Sequence, residues 1–186
     1  MSTAASRPAS KVASAFGPIV VMGVSGCGKS SVGERLAGYL DCPFVEGDSL
    51  HPAANVEKMR MGIPIDDHDR WPWLDALGRE LGAARDIVVS CSALRRCYRD
   101  RLRMLAGRPM TFVFLQGDRA LLAARMAGRQ HEYMPLLLLD SQFATLELPT
   151  GEKDVVTLDI NQSLEAIVAM AMTLLAARKR NAGQTY

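Results

Sequence analysis

The feature that most constrains this chain is Gly23-Val24-Ser25-Gly26-Cys27-Gly28-Lys29-Ser30, which fills every fixed position of G-x-x-x-x-G-K-[ST]. It follows a short β-branched run, Ile19–Met22, and precedes apolar residues at helical spacing, Val32, Leu36, Tyr39 and Leu40. A strand that passes through such a loop into a helix builds an anion site. Glycines let the backbone turn so that successive N–H groups point inward, and the helix aims its positive end at the same place. Lys29 then reaches the β- and γ-phosphates of a nucleoside triphosphate, and the Ser30 hydroxyl is placed to ligate Mg²⁺. Gly23, Val24, Ser25, Gly26, Cys27, Gly28, Lys29, Ser30 and Ser31 are therefore assigned to the nucleotide. Cys27, beside Lys29 and a helix start, is expected to carry a perturbed thiol.

The rest of the chain repeats the same alternation. Short apolar runs at Phe44–Val45, Ile87–Val89, Thr111–Leu115 and Val155–Ile160 are each followed by a longer stretch with helical spacing. Leu94, Tyr98, Leu102 and Leu105 make one such stretch, and Leu164, Ile167, Val168, Ala171, Leu174 and Leu175 another. Strands alternating with helices predict an α/β fold, a three-layer α/β/α sandwich of the P-loop NTPase type around a five-stranded parallel sheet. Ligands of such sheets bind at the carboxyl ends of the strands. With 186 residues there is room for one domain. It is expected over 18–178, with a disordered Ala- and Ser-rich tail at 1–17 and a short tail at 179–186. Lys and Arg total 22 against 20 Asp and Glu. That balance speaks against a protein living on bulk attraction to nucleic acid. The four cysteines form no C-x-x-C pair, and read as reduced, mostly buried thiols of a cytoplasmic protein. No apolar stretch approaches the roughly 18–20 residues that span a bilayer, so no membrane role is expected.

Which P-loop chemistry follows is read from the strand ends. No N-K-x-D string reads guanine, and Asp75-Ala76-Leu77-Gly78 falls in a helix-like stretch. The third strand ends in Ser90-Cys91-Ser92 without the acid a motor ATPase would place there. A small kinase is left, transferring phosphoryl from ATP to a diffusible acceptor. Asp48, just past the second strand, is suited to take a hydrogen bond or proton from an acceptor hydroxyl, with Glu46 supporting Mg²⁺ through water. In Asp66-Asp67-His68-Asp69-Arg70 the expected helix cap is Asp69. Six arginines lie between positions 95 and 108. Most are expected on the wet face of a helix, with one or two near its start turned toward an anionic acceptor or a phosphate. Arg125 and Arg129 before Pro135 read as a helical lid over about 125–140 that closes on the triphosphate and excludes water. A P-loop regulatory protein that binds a partner, or nucleic acid along Arg95–Arg108, is the rival from another class.

The chain also resembles a known family, the small bacterial-type gluconokinases, which are related to shikimate kinase and the nucleoside monophosphate kinases. The resemblance runs from about Ile19 to Leu175. It rests on Gly23–Ser30, on Gly47-Asp48-x-Leu50-His51-Pro52-x-x-Asn55-x-x-Lys58-Met59 and on Gly62-x-Pro64. It continues through Asp67-x-Asp69-Arg70-x-Pro72-Trp73-Leu74, Cys91-Ser92-Ala93-Leu94-Arg95 and Ser141-Gln142-Phe143-x-Thr145-Leu146-Glu147. It implies ATP-dependent phosphorylation of gluconate to 6-phosphogluconate by a homodimer that uses Mg²⁺. It also implies that Asp48 orients or deprotonates the sugar hydroxyl. His51, Arg70 and Arg95 would grip the polyol and its carboxylate, and Arg125 and Arg129 would stabilise the transferring phosphoryl group. The sequence departs from the family in the lid, where Arg129-Gln130-His131-Glu132-Tyr133 stands for Arg-x-Gly-His-Phe. A kinase for shikimate or another sugar acid is the second reading. A shikimate-type site would want Asp-x-Asp where this chain has Glu46-Gly47-Asp48.

Overall fold

A computed structural model describes residues 16–182 apart from 62, 64 and 128–135. Five strands, β1 (Pro18–Met22), β2 (Phe44–Glu46), β3 (Ile87–Cys91), β4 (Thr111–Gln116) and β5 (Val155–Asp159), pair in the order β2-β3-β1-β4-β5. Every pairing is parallel. The helices described are α1 (Lys29–Leu40), α2 (Ala53–Arg60), α3 (Asp67–Ala83), α4 (Arg96–Ala106), α5 (Arg119–Ala127), α6 (Leu136–Thr145) and α7 (Leu164–Ala182).

The central strands are buried on both faces, which is why they read as unbroken apolar runs. Ile19 and Val21 point to one side, where they meet Val32 and Leu36 of α1 and Ile167 and Ala171 of α7. Val20 and Met22 point to the other, against Trp73, Leu74 and Leu77 of α3 and Leu102 of α4. The three expected layers and the five-stranded sheet are thus present. The chain leaves β1 into α1 on the first face and leaves β3 into α4 on the second. The carboxyl ends of these two neighbouring strands therefore flank a crevice, the place where open α/β sheets bind ligands. Met22 and Cys91 end level in register, and the Gly23 N–H donates across to the Ser92 carbonyl.

Two local expectations are corrected and a third gains an exception. Asp66, not Asp69, caps α3: its carboxylate accepts from the Asp69 N–H, and the Asp69 carboxylate accepts from the Asp66 N–H, a closed capping box. The α4 arginines do not all lie in water. Arg99 is fully buried, because Glu152 reaches it from the segment before β5 and the Ala93 and Leu94 carbonyls take its other donors. Of the four cysteines only Cys27 and Cys91 are buried, while Cys42 is partly covered and Cys97 exposed. At the chain ends, the Phe16 and Gly17 N–H groups both donate to Asp86, and α7 continues past residue 178 to Ala182. No helix among the described residues is long and apolar enough to cross a membrane.

Candidate active site

The glycine loop ends on Gly28, which sits in the left-handed region at φ 95° and precedes the first turn of α1. No side chain caps this helix and no acid lies in its first turn, so its leading N–H groups are left for an outside anion. Val24 and Cys27 are buried in the core, so they offer only their backbone to a ligand. The expected perturbation of Cys27 is upward: burial outweighs the pull of Lys29, and the thiol is not activated. Lys29 turns back on the loop, its Nζ 3.2 Å from the Val24 carbonyl. Ser30 and Ser31 are exposed at the helix start.

Across the crevice, a 3₁₀ turn over Gly47–Leu50 presents Asp48. Parallel register sets Glu46 beside Ser90, and the Ser90 hydroxyl donates to the Glu46 carboxylate while accepting from the Gly47 N–H at 3.0 Å. On the other side the Trp73 indole N–H donates to the Gly47 carbonyl at 2.7 Å. A Cβ on Gly47 would come 1.9 Å from the Ser90 carbonyl oxygen, so only glycine lets the turn lie this close to β3. Both backbone polar groups of Gly47 are thereby held, and the Asp48 side chain that follows is left 70% exposed.

His51 stacks on Trp73 with ring centroids 4.1 Å apart and its Nε2 4.0 Å from the Asp48 carboxylate. Burial lowers its pKa, although Asp48 pulls the other way, so the ring is neutral near pH 7. Asn55 fixes this corner by donating to the Asp69 carbonyl at 2.8 Å, and Lys58 pairs with the Asp69 carboxylate at 2.7 Å.

The first turns of α3 put Asp67, Arg70 and Trp73 at three-residue spacing on one face. Tyr98 donates its hydroxyl to Asp67, and this bond together with Arg95 and Arg70 holds the Asp67 carboxyl below its usual range. Arg70 donates to the Tyr98 hydroxyl oxygen at 3.2 Å.

Ser25, Lys29, Asp48, His51, Arg70 and Trp73 face one open cleft, which Ser141, Gln142 and Thr145 of α6 also line. Two expected residues are elsewhere. Arg95 is committed to Asp67 at 2.7 Å and to Glu147 at 3.5 Å, and does not line the cleft. Arg125 donates to the Ile160 carbonyl at 2.7 Å. Arg129 and His131 lie outside the described residues. Trp73 and Gln142 stand in the quoted strings without a role. What gives them one is a contact 26 and 117 positions away, which no local pattern reveals.

A loop shaped to hold transferable phosphate and a carboxylate held across the same cleft share one chemical use. The fold agrees with it, and the chain is a P-loop kinase that acts on a small molecule. The family described as "AAA domain" matches residues 19–149. The thermosensitive gluconokinase of Escherichia coli (strain K12) is 39% identical over 173 residues, covering 87% of this chain and 89% of that protein. The crystal structure of a gluconokinase from Sinorhizobium meliloti 1021 is 50% identical with a TM-score of 0.86, covering 91% of this chain and 98% of that one. Shikimate kinase from Aquifex aeolicus vf5 has a TM-score of 0.60 at 18% identity, over 87% of this chain and 98% of that one, and shows the shared fold alone. The chain belongs to the gluconokinase family.

Proposed function

We propose that this chain transfers the γ-phosphoryl group of ATP to the terminal hydroxyl of D-gluconate, giving 6-phospho-D-gluconate and ADP. The observation that carries the reading is that the phosphate loop and Asp48 open onto one cleft, with His51 and Arg70 beside Asp48. In the transfer the hydroxyl oxygen forms a bond to the γ-phosphorus while the bond to the β–γ bridging oxygen breaks. ADP leaves with that electron pair, and the hydroxyl proton passes to the Asp48 carboxylate. Lys29 exchanges the Val24 carbonyl for the β- and γ-phosphates. His51, neutral, hydrogen-bonds the polyol, and Arg70 with Arg95 behind it supplies positive charge for the carboxylate. Arg125 and Arg129 serve the lid.

The donor set fits Mg²⁺, which keeps several waters and is commonly held by few protein oxygens together with substrate phosphates. Ser30 offers an exposed hydroxyl at the start of α1. Glu46 ends β2 level with Ser90 of β3 and just before the turn that carries Asp48, so it lies at that strand end for a water-mediated role. When bound, the ion neutralises charge on the transferring phosphate. The same family resemblance supports a homodimer working in the cytoplasm on a small-molecule acceptor.

Asp48→Asn tests the reading. It should lower kcat by about 10²-fold or more, as loss of a general base does, with ATP affinity within about threefold of wild type. Unchanged turnover in a folded Asp48→Asn protein would remove Asp48 from the chemistry.

A further inference from the structure

The string Ser141-Gln142-Phe143-x-Thr145-Leu146-Glu147 has no part in the transfer as derived so far, yet its Ser141, Gln142 and Thr145 line the cleft. Its end is anchored independently: the Glu147 carboxylate accepts from the Arg96 N–H at 2.7 Å and pairs with Arg95. Phe143 and Leu146 pack against the core. Gln142 does something else. Its Oε1 accepts the Ser25 N–H of the phosphate loop at 2.6 Å.

A backbone N–H can only donate, so this bond fixes which end of the carboxamide is oxygen. Nε2, with two N–H donors, is the end left over, and it has no hydrogen-bond partner among the described residues. Gln142 shares the cleft with Lys29 and Asp48, between which the phosphoryl group must travel. Among the described residues, the arginines nearby each hold a partner within the chain: Arg70 the Tyr98 hydroxyl, Arg95 Asp67 and Glu147, Arg125 the Ile160 carbonyl. Charge in such a transfer spreads over the equatorial oxygens of the moving group, and a fixed donor aimed at them stabilises the transition state.

We propose that Gln142 is a catalytic residue, holding the phosphate loop through Oε1 and donating Nε2–H to the γ-phosphoryl group during transfer. This rests on the reading of the cleft as the transfer site.

Gln142→Glu in the full chain separates the two ends of the side chain. It keeps length and an oxygen for the Ser25 N–H, and replaces the donor by an anionic oxygen. The proposal predicts a kcat lower by about 10²-fold or more, with the KM for gluconate within about threefold. Calorimetry should show the β,γ-imido analogue of ATP binding at least about tenfold more weakly while ADP, which lacks the γ-phosphate, changes by under about threefold. Gln142→Ala should lose turnover in the same direction with ADP affinity retained, and decides the question if Gln142→Glu does not fold. A folded Gln142→Glu protein that turns over within about threefold of wild type would overturn the proposal. So would loss of ADP affinity in step with kcat in Gln142→Ala, since the side chain would then only shape the loop. The comparison of ADP with the analogue needs no acceptor, so it still judges Gln142 if wild type fails to phosphorylate gluconate.

Discussion

His51 lies flat on Trp73 with a carboxylate 4.0 Å from its Nε2, and burial still decides its charge. The buried ring takes a proton less readily than in the unfolded chain, where its pKa is about 6.5. Above that pH both states are neutral and the group adds no pH dependence. As pH falls through it the unfolded state binds the extra proton, so stability is lost on the acid side. Wild type should therefore lose melting temperature relative to His51→Gln between pH 7.5 and pH 5.5. A difference that stays constant across that range would mean that His51 titrates as it does in the unfolded chain. At this scale the sequence is most readable where function is carried by a contiguous string. Gly23–Ser30 needs no partner to be recognised. That Arg95 stands off the cleft is not visible in its own string, because the groups that hold its donors, Asp67 of α3 and Glu147 just after α6, are distant in sequence.

Among the elements, the central strands β1, β3 and β4 are legible because burial on both faces makes them apolar runs, although β3 continues through Ser90 to Cys91. Ser90 stays in the strand, buried, because the Glu46 carboxylate and the Gly47 N–H satisfy its hydroxyl. Helix α4 is harder. Its arginines follow the pattern of a solvated face, but Arg99 and Arg103 both reach Glu152, and Arg103 also pairs with Asp154. Glu152, the acid that makes burial of Arg99 tolerable, lies 53 positions away, beyond any helical period. Arg99→Met should destabilise the fold by about 2–4 kcal/mol, since it strands a covered carboxylate that keeps only Arg103. Thermal or urea unfolding would read this. An Arg99→Met protein as stable as wild type would show that packing alone seats α4.

For the whole molecule, the parallel sheet places the ends of β1 and β3 side by side, and the site is assembled over them from segments distant in sequence. Ser90 meets Gly47 across 43 positions, Trp73 meets Gly47 across 26, and Gln142 meets Ser25 across 117. The fold class and the nucleotide half of the site can be read from periodicity and one motif. The acceptor half is legible only through the long string from Gly47 to Leu74, because its geometry depends on these distant closures. Helix α6 and the residues just after it then join the halves, with Gln142 on the phosphate loop and Glu147 on the start of α4.

The central claim is that these halves serve a single transfer to gluconate. It is tested most directly by ADP release from MgATP with gluconate, shikimate, a nucleoside monophosphate or no acceptor. Strong stimulation by gluconate alone, with phosphate appearing on its terminal oxygen in the ³¹P spectrum, is the predicted result. Stimulation by a different acceptor, or ATP binding without any acceptor-dependent release, would contradict it.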